Sequence, residues 1–276
     1  MSSYMLSGQA SELERLQLQS RVWEPSGCRL LDEIGEGRRA HVVDVGCGAM
    51  GWLRLLSEWV GPDGKVVGTD IDDTMLEVAG KFVAEEDLGN VTLVKDDLFA
   101  SELEPSSFDL VHARYQISPL GRGDEQMRSY LRLARRDGLI VLEDPDISSW
   151  HFNPPAPACE ELIRVEGEVF ARFGDANGGR THRELLGRFG IRGDVRAEVL
   201  ALEPGHPYLR LPLQFAAAMK EPLLQLIDAG KLEELRNEGE RELQEPGRWG
   251  TTLTLIQAWG RRDHEAPRPE RAATAK

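Results

Sequence analysis

The sequence predicts an α/β protein whose parallel sheet is wound on both faces by helices. Three observations carry this. Short apolar, β-branched runs alternate with helical stretches between residues 41 and 144, the pattern of successive parallel strands joined by crossover helices. The first such run, His41 to Gly51 (HVVDVGCGAMG), passes from Val42, Val43 and Val45 straight into a turn holding Gly46, Gly48 and Gly51. The chain of 276 residues is long enough to bury a sizeable core as one elaborated domain.

Taken in order, Ser11-Glu12-Leu13-Glu14 reads as a capping box opening an amphipathic helix to about Val22. Pro25 starts a second helix with Leu30, Leu31 and Ile34 on one face. Strand one is 41–45, and Trp52 to Trp59 is helical. The turn Gly61-Pro62-Asp63-Gly64 leads into strand two, 65–70. A helix from Met75 to Leu88 and a third strand, 91–94, follow. Strand four is 108–113, a helix covers about 125–135, and strand five is 139–143. The prolines of 153–157 then break the alternation. Cys159 to Phe173 is a helix, Thr181-His182-Arg183-Glu184 a second capping box, and Ile191 to Leu202 a sixth strand. A proline-interrupted helical insertion fills 207–245, and Thr251 to Trp259 is a seventh strand. The expected organisation is an N-terminal helical cap (1–38), a main domain (39–262) with helical insertions at 150–190 and 204–247, and a disordered tail (263–276).

The three glycines fit G-x-G-x-x-G, and Asp70 lies about 20 residues further on, where it can take both hydroxyls of a ribose. Any adenosine cofactor could use these features, so they leave NAD and S-adenosylmethionine both open. Asp44 separates them. A pyrophosphate wants bare backbone N–H groups and a helix N-terminus. A carboxylate two residues before the first glycine repels it, and attracts a donor carrying an ammonium and a sulfonium.

Composition narrows the partners. The net charge of -14 argues against a nucleic-acid backbone as main partner, since that surface is met by Lys and Arg. Cys28, Cys47 and Cys159 are odd in number and widely spaced, as reduced cytoplasmic thiols are. No pair has zinc-site spacing, so no metal is expected. The N-terminus has no apolar core of signal-peptide length, and no run is long enough for membrane insertion.

The segments VVDVGCGAMG (42–51), VVGTDID (66–72), LVKDDLF (93–99), FDLVHAR (108–114) and RRDGLIVLED (135–144), with ERLQLQSRVWEP (14–25) before them, resemble the class I S-adenosylmethionine-dependent methyltransferases. The resemblance is to the small-molecule, ubiquinone- and menaquinone-biosynthesis-like branch. The resemblance implies a Rossmann-like, seven-stranded, mostly parallel sheet with its last strand antiparallel, and S-adenosylmethionine as cofactor. It also implies roles. Asp44 and the backbone at Gly46 and Gly48 hold the methionine part, and Asp70 takes the ribose. Ile71 and Met75 pack on the adenine, Asp97 bonds its amino group, and Leu98 lends a backbone N–H. Ala113 and Arg114 flank the methionine, and Trp23 covers the cofactor. Asn153-Pro154-Pro155 is similar to the N-P-P-aromatic motif of DNA adenine methyltransferases, but it follows strand five rather than strand four, and Ala156 replaces the aromatic.

Methyl transfer from a sulfonium is an in-line displacement, so aligning the acceptor and excluding water carry much of the acceleration. A base is needed only where the acceptor must lose a proton. His151, after strand five, and Tyr115, after strand four, are the catalytic candidates. His112, inside strand four, is expected to be buried and satisfied. Trp150, Phe152, Phe170, Phe173, Tyr208, Phe215 and Met219 lie in the segments that would wall the pocket, which favours an apolar or aromatic, natural-product or quinone-like acceptor. The competing readings are an NAD-dependent oxidoreductase and a methyltransferase-fold protein that binds ligand without methyl transfer. The N-terminal helices and the 207–245 insertion also offer surfaces for a homodimer.

Overall fold

The structure, a computed structural model, describes residues 10–262, with side chains from residue 13 onward. Helix α1 (Ala10–Ile34) precedes β1 (His41–Val45), α2 (Leu53–Val60), β2 (Lys65–Asp70), α3 (Asp73–Glu85) and β3 (Val91–Lys95). Then come β4 (Phe108–Arg114), short α4 (Ile117–Leu120), α5 (Gly123–Leu133) and β5 (Ala134–Asp146). The second half adds β6 (Phe152–Asn153), α6 (Pro157–Phe170), α7 (His182–Arg188), β7 (Gly193–Glu198), β8 (Ala201–Leu202), α8 (Leu211–Ala218), α9 (Lys220–Leu223), α10 (Ala229–Leu243), β9 (Trp249–Thr251) and β10 (Thr254–Arg261).

Seven strands form one sheet in the order β3-β2-β1-β4-β5-β10-β7. The first five are parallel, and β10 runs antiparallel to both β5 and β7. The expected antiparallel last strand is therefore present, wedged between β5 and β7. The first five strands follow the 3-2-1-4-5 order that dinucleotide-binding sheets also have, and the insertion of β10 before β7 is where the order departs from theirs.

Side-chain alternation divides the core into two layers. On β1, Val42 packs with Leu30, Trp52, Leu53, Leu56 and Val66 under α1 and α2, whereas Val43 and Val45 pack with Met127, Tyr130, Leu185 and Leu186 under α5 and α7. A strand buried on both faces needs the near-continuous apolar run that β1 and β5 have. The two insertions meet in a helical layer, where Leu162, Val165 and Val169 of α6 pack on Leu213 and Ala216 of α8 and Leu232 and Leu235 of α10.

Several boundaries differ from expectation. Helix α1 runs unbroken through Pro25. Proline there removes one helical hydrogen bond, but Trp23, Leu30 and Leu31 are buried on either side of it, and their burial outweighs that loss. The same helix already includes Ser11, and the capping side chains before residue 13 lie outside the described residues. At Thr181 no capping bond forms: its backbone is already helical, and its hydroxyl points back to donate to the Gly178 carbonyl. The sixth and seventh expected strands each divide, β8 and β9 leaving to build a three-stranded sheet with β6. The expected tail, 263–276, lies outside the described residues.

Candidate active site

The site is built on the turn between β1 and α2. The Cys47 amide donates to the Thr69 carbonyl at 2.8 Å, and the Gly48 amide to Asp70 Oδ2 at 2.9 Å. These two bonds pin the turn to the end of β2. Asp70 Oδ1 accepts the Asp72 amide at 2.9 Å. Burial pushes the Asp70 carboxyl above its usual range, held back in part by those two amides. At the turn's far end, Asp44 Oδ2 accepts the Trp52 amide at 2.7 Å. Gly51 has φ +46, and a Cβ there would collide with Asp44 Oδ2. The turn is thus closed by one carboxylate on each side.

Behind it, a polar row crosses the sheet. Asp44 lies directly opposite His112 on β4, and Asp44 Oδ1 meets His112 Nδ1 at 2.7 Å. The other ring nitrogen, Nε2, faces Glu143 Oε2 on β5 at 3.1 Å. Gln257 of β10 donates to Glu143 Oε1, and Arg196 of β7 donates to Gln257 Oε1 at 3.0 and 2.8 Å. Arg196 ends on Glu33 of α1 and on Glu198. The His112 ring stacks on Trp52 with centroids 3.9 Å apart. Burial pulls the imidazolium down, but Asp44 and Glu143 together outweigh it and hold His112 above its usual range.

At the carboxyl end of β4, Tyr115 adopts φ +55, a left-handed conformation that costs a bulky residue energy. Its hydroxyl is buried beside that of Tyr208, which accepts from Trp23 Nε1 at 3.2 Å. Burial pushes the Tyr115 phenol well above its usual range. Trp23, Trp150, Phe152 and Tyr208 form one cluster, with Tyr115 and Phe215 packed against it. Arg114 donates to Ser20 Oγ of α1 at 2.9 Å. Among the described residues no group of His, Cys, Asp and Glu could hold a metal ion.

Residues 37–175 match the family model of a methyltransferase domain. The chain belongs to the class I S-adenosylmethionine-dependent methyltransferases. It is 30% identical over 113 residues to a demethylmenaquinone methyltransferase of Listeria monocytogenes, covering 40% of this chain and 48% of that one. It is 32% identical over 136 residues to the nocamycin O-methyltransferase of Saccharothrix syringae, covering 48% and 49%. The chain thus spans about half the length of these curated relatives. A solved S-adenosylmethionine-dependent methyltransferase from Aquifex aeolicus shares the fold, with a TM-score of 0.54 at 23% identity, over 69% of this chain and 92% of that one.

The residues expected to hold the cofactor lie as follows. Gly46, Gly48 and Asp70 form the turn, Met75 is buried, and Ile71 lies 54% exposed beside Asp70. Asp97 is exposed and caps the short turn beginning at Leu98 by accepting the Phe99 amide at 2.9 Å. Ala113 is buried at the end of β4, and Trp23 is buried in the aromatic cluster rather than lying open.

Two placements bear on the expected roles. Asp44 is 1% exposed, with its two oxygens engaged inside the protein by His112 and the Trp52 amide. His151 is exposed, because strand alternation turns Trp150 and Phe152 inward and His151 out. Of the expected pocket wall, Phe173 is also exposed, and Met219 belongs to the helical layer. Gln116 and Glu143 were missed. The Gln116 side chain lies over Gly46, donating to its carbonyl at 3.4 Å. Its one sequence signal is a polar residue two places after the fourth strand. Among the described residues no helix is long and apolar enough to cross a membrane.

Proposed function

We propose that this protein transfers the methyl group of S-adenosylmethionine to an apolar or aromatic small molecule, of natural-product or quinone-like character. The observation that carries this is the pairing of a closed glycine turn, hung on Asp70, with an aromatic cluster at the carboxyl ends of β4 and β5. Ligands of doubly wound sheets lie in that crevice.

The residues present fit the cofactor. Asp70 keeps lone pairs for ribose hydroxyls beyond its two backbone bonds. Ile71 offers an uncovered apolar face for an adenine ring, and Asp97 at the rim accepts from an amino group. When bound, the cofactor supplies an electrophilic methyl on a sulfonium. The chain's own task is alignment and exclusion of water. Trp23, Trp150, Phe152, Tyr115 and Tyr208 supply an apolar wall with polar tips. With its proton held tightly by burial, Tyr115 acts as a hydrogen-bond donor that orients the acceptor, not as a base. The likeness to relatives named demethylmenaquinone methyltransferase and nocamycin O-methyltransferase supports a small-molecule acceptor.

The test has two arms. Calorimetry with S-adenosylhomocysteine and with NADH is expected to give binding of the first alone. Incubation with S-adenosylmethionine and a panel of quinols and phenols is expected to add the mass of one methyl to at least one of them. Binding of NADH without S-adenosylhomocysteine would overturn the cofactor assignment. Binding without any methylated product would leave a ligand-binding protein of methyltransferase fold.

A further inference from the structure

A polar row crosses β1, β4, β5, β10 and β7, and buried ionic rows of this kind are often no more stabilising than apolar side chains of similar volume. It ends at the glycine turn. We propose that His112 is a positioning residue which, as an imidazolium clasped between Asp44 and Glu143, keeps the turn in its S-adenosylmethionine-binding shape, so that cofactor binding requires its proton. This rests on the cofactor assignment above.

Both ring nitrogens face carboxylate oxygens, at 2.7 and 3.1 Å. A neutral imidazole carries one N–H and one lone pair, so one carboxylate would then meet a lone pair. The imidazolium satisfies both. The groups facing the ring are few: Asp44 from β1, Glu143 from β5, neutral Gln257 beyond Glu143 on β10, and the neutral Trp52 ring at the start of α2. On the turn itself, the Cys47 thiol is held protonated by burial and by Asp44 and Asp70. Among the described residues, His112 is the one cationic side chain that bonds Asp44.

Removal of the proton leaves two buried carboxylates sharing a neutral ring. A buried charge without its partner is strongly unfavourable. Asp44 relieves this by turning out of the layer, and its other oxygen then releases the Trp52 amide that closes the turn. A ligand that needs the closed turn therefore binds the protonated form more tightly. By linkage, binding in turn raises the affinity of His112 for its proton. Affinity is level while His112 is charged and falls as pH rises through its elevated titration, by up to about tenfold per pH unit for one linked proton.

The test titrates S-adenosylhomocysteine into the full chain from pH 6 to 10 by calorimetry, using the wild type, His112→Gln and Asp44→Asn. The ligand's own amino group titrates against all three proteins alike, so the difference between profiles is the readout. The wild type is expected to lose affinity toward high pH. His112→Gln is expected to bind at least tenfold more weakly at pH 6, with a flatter profile. Asp44→Asn is expected to flatten the profile and to match or exceed the wild type at pH 9, because an amide N–H can pair with neutral His112 while the amide oxygen still accepts from Trp52. If His112→Gln does not fold, Asp44→Asn decides. Parallel profiles for wild type and variants would overturn the inference while leaving the cofactor assignment intact. A folded wild type that binds nothing even at pH 6 would overturn both.

Discussion

Arg114, the last residue of β4, donates to Ser20 Oγ on α1 at 2.9 Å and to the Gly51 carbonyl at 3.5 Å. One side chain therefore fastens the cap helix to the glycine turn. Both bonds leave one nitrogen, Nη2, and the lysine side chain, one atom shorter, does not carry its ammonium to that point. Arg114→Lys is expected to lower affinity for S-adenosylhomocysteine about tenfold, roughly 1.4 kcal/mol, and to speed proteolytic cleavage within α1. Ser20→Ala is expected to reproduce the faster cleavage with a smaller loss of affinity, since it removes one neutral acceptor worth about 1 kcal/mol. Cleavage and affinity that stay at wild-type values in both would mean that the helix is held by its apolar face alone.

The glycine turn gives a paired comparison. Gly48 and Gly51 both have positive φ, but a Cβ at Gly48 meets nothing within 4 Å, whereas one at Gly51 runs into Asp44 Oδ2 and the Cys47 backbone. Gly48→Ala is expected to cost the conformational penalty alone, about 1–2 kcal/mol by thermal or urea unfolding. Gly51→Ala is expected to cost more and to depress cofactor binding further, because it displaces the carboxylate that closes the turn. Equal effects would show that the Asp44 bond is not what shapes the turn.

The first five strands and the glycine turn were legible because each is a local pattern: an apolar run, a turn, a helix. The site's electrostatics were not. Asp44 reads as a charge offered to a ligand, because its neighbours in sequence are apolar and nothing local answers it. Its partner, His112, stands 68 residues away, and strand register alone brings the two together. For the same reason Glu143 passes as one more acid at a strand end. Pro25 was misread because a proline signals a helix start locally, while the burial of Trp23 and Leu30 that carries α1 through it is a tertiary effect. The departure of β8 and β9 from the main sheet likewise depends on pairing with β6, which no short-range pattern encodes.

His151 and Tyr115 are separated by their surroundings. His151 touches the small sheet through its backbone, donating to Thr251 Oγ1 at 3.1 Å and accepting the Thr251 amide at 2.9 Å. His151→Ala keeps both bonds and is expected to leave methyl transfer within about twofold of wild type, a change of roughly 0.4 kcal/mol. Tyr115→Phe removes a buried hydroxyl at the end of β4 and is expected to reduce kcat while S-adenosylhomocysteine affinity is retained. Steady-state kinetics on whichever quinol or phenol is methylated separates the two. A large loss in His151→Ala beside a silent Tyr115→Phe would reverse their roles.

Glu166 lies on α6 with 2% exposure, and neither carboxylate oxygen has a hydrogen-bond partner among the described residues. Burial pushes its carboxyl well above the usual range, so the folded protein holds the acid form. At pH values below the ordinary carboxylate range both folded and unfolded chains are protonated, and the group contributes no pH dependence. As pH rises past that range the unfolded chain releases the proton while the folded chain keeps it. Stability then falls by up to about 1.4 kcal/mol per pH unit until the folded pKa is passed. This is opposite in sign to a salt-bridged carboxylate. Glu166→Met keeps the length, removes the titration and gives the helical layer an apolar contact with Leu162 and Val169 nearby on the same helix. It is expected to unfold at a higher temperature than wild type at pH 7.5, with the gap closing toward pH 5. A gap that is independent of pH would mean that the Glu166 carboxyl titrates normally in the folded protein.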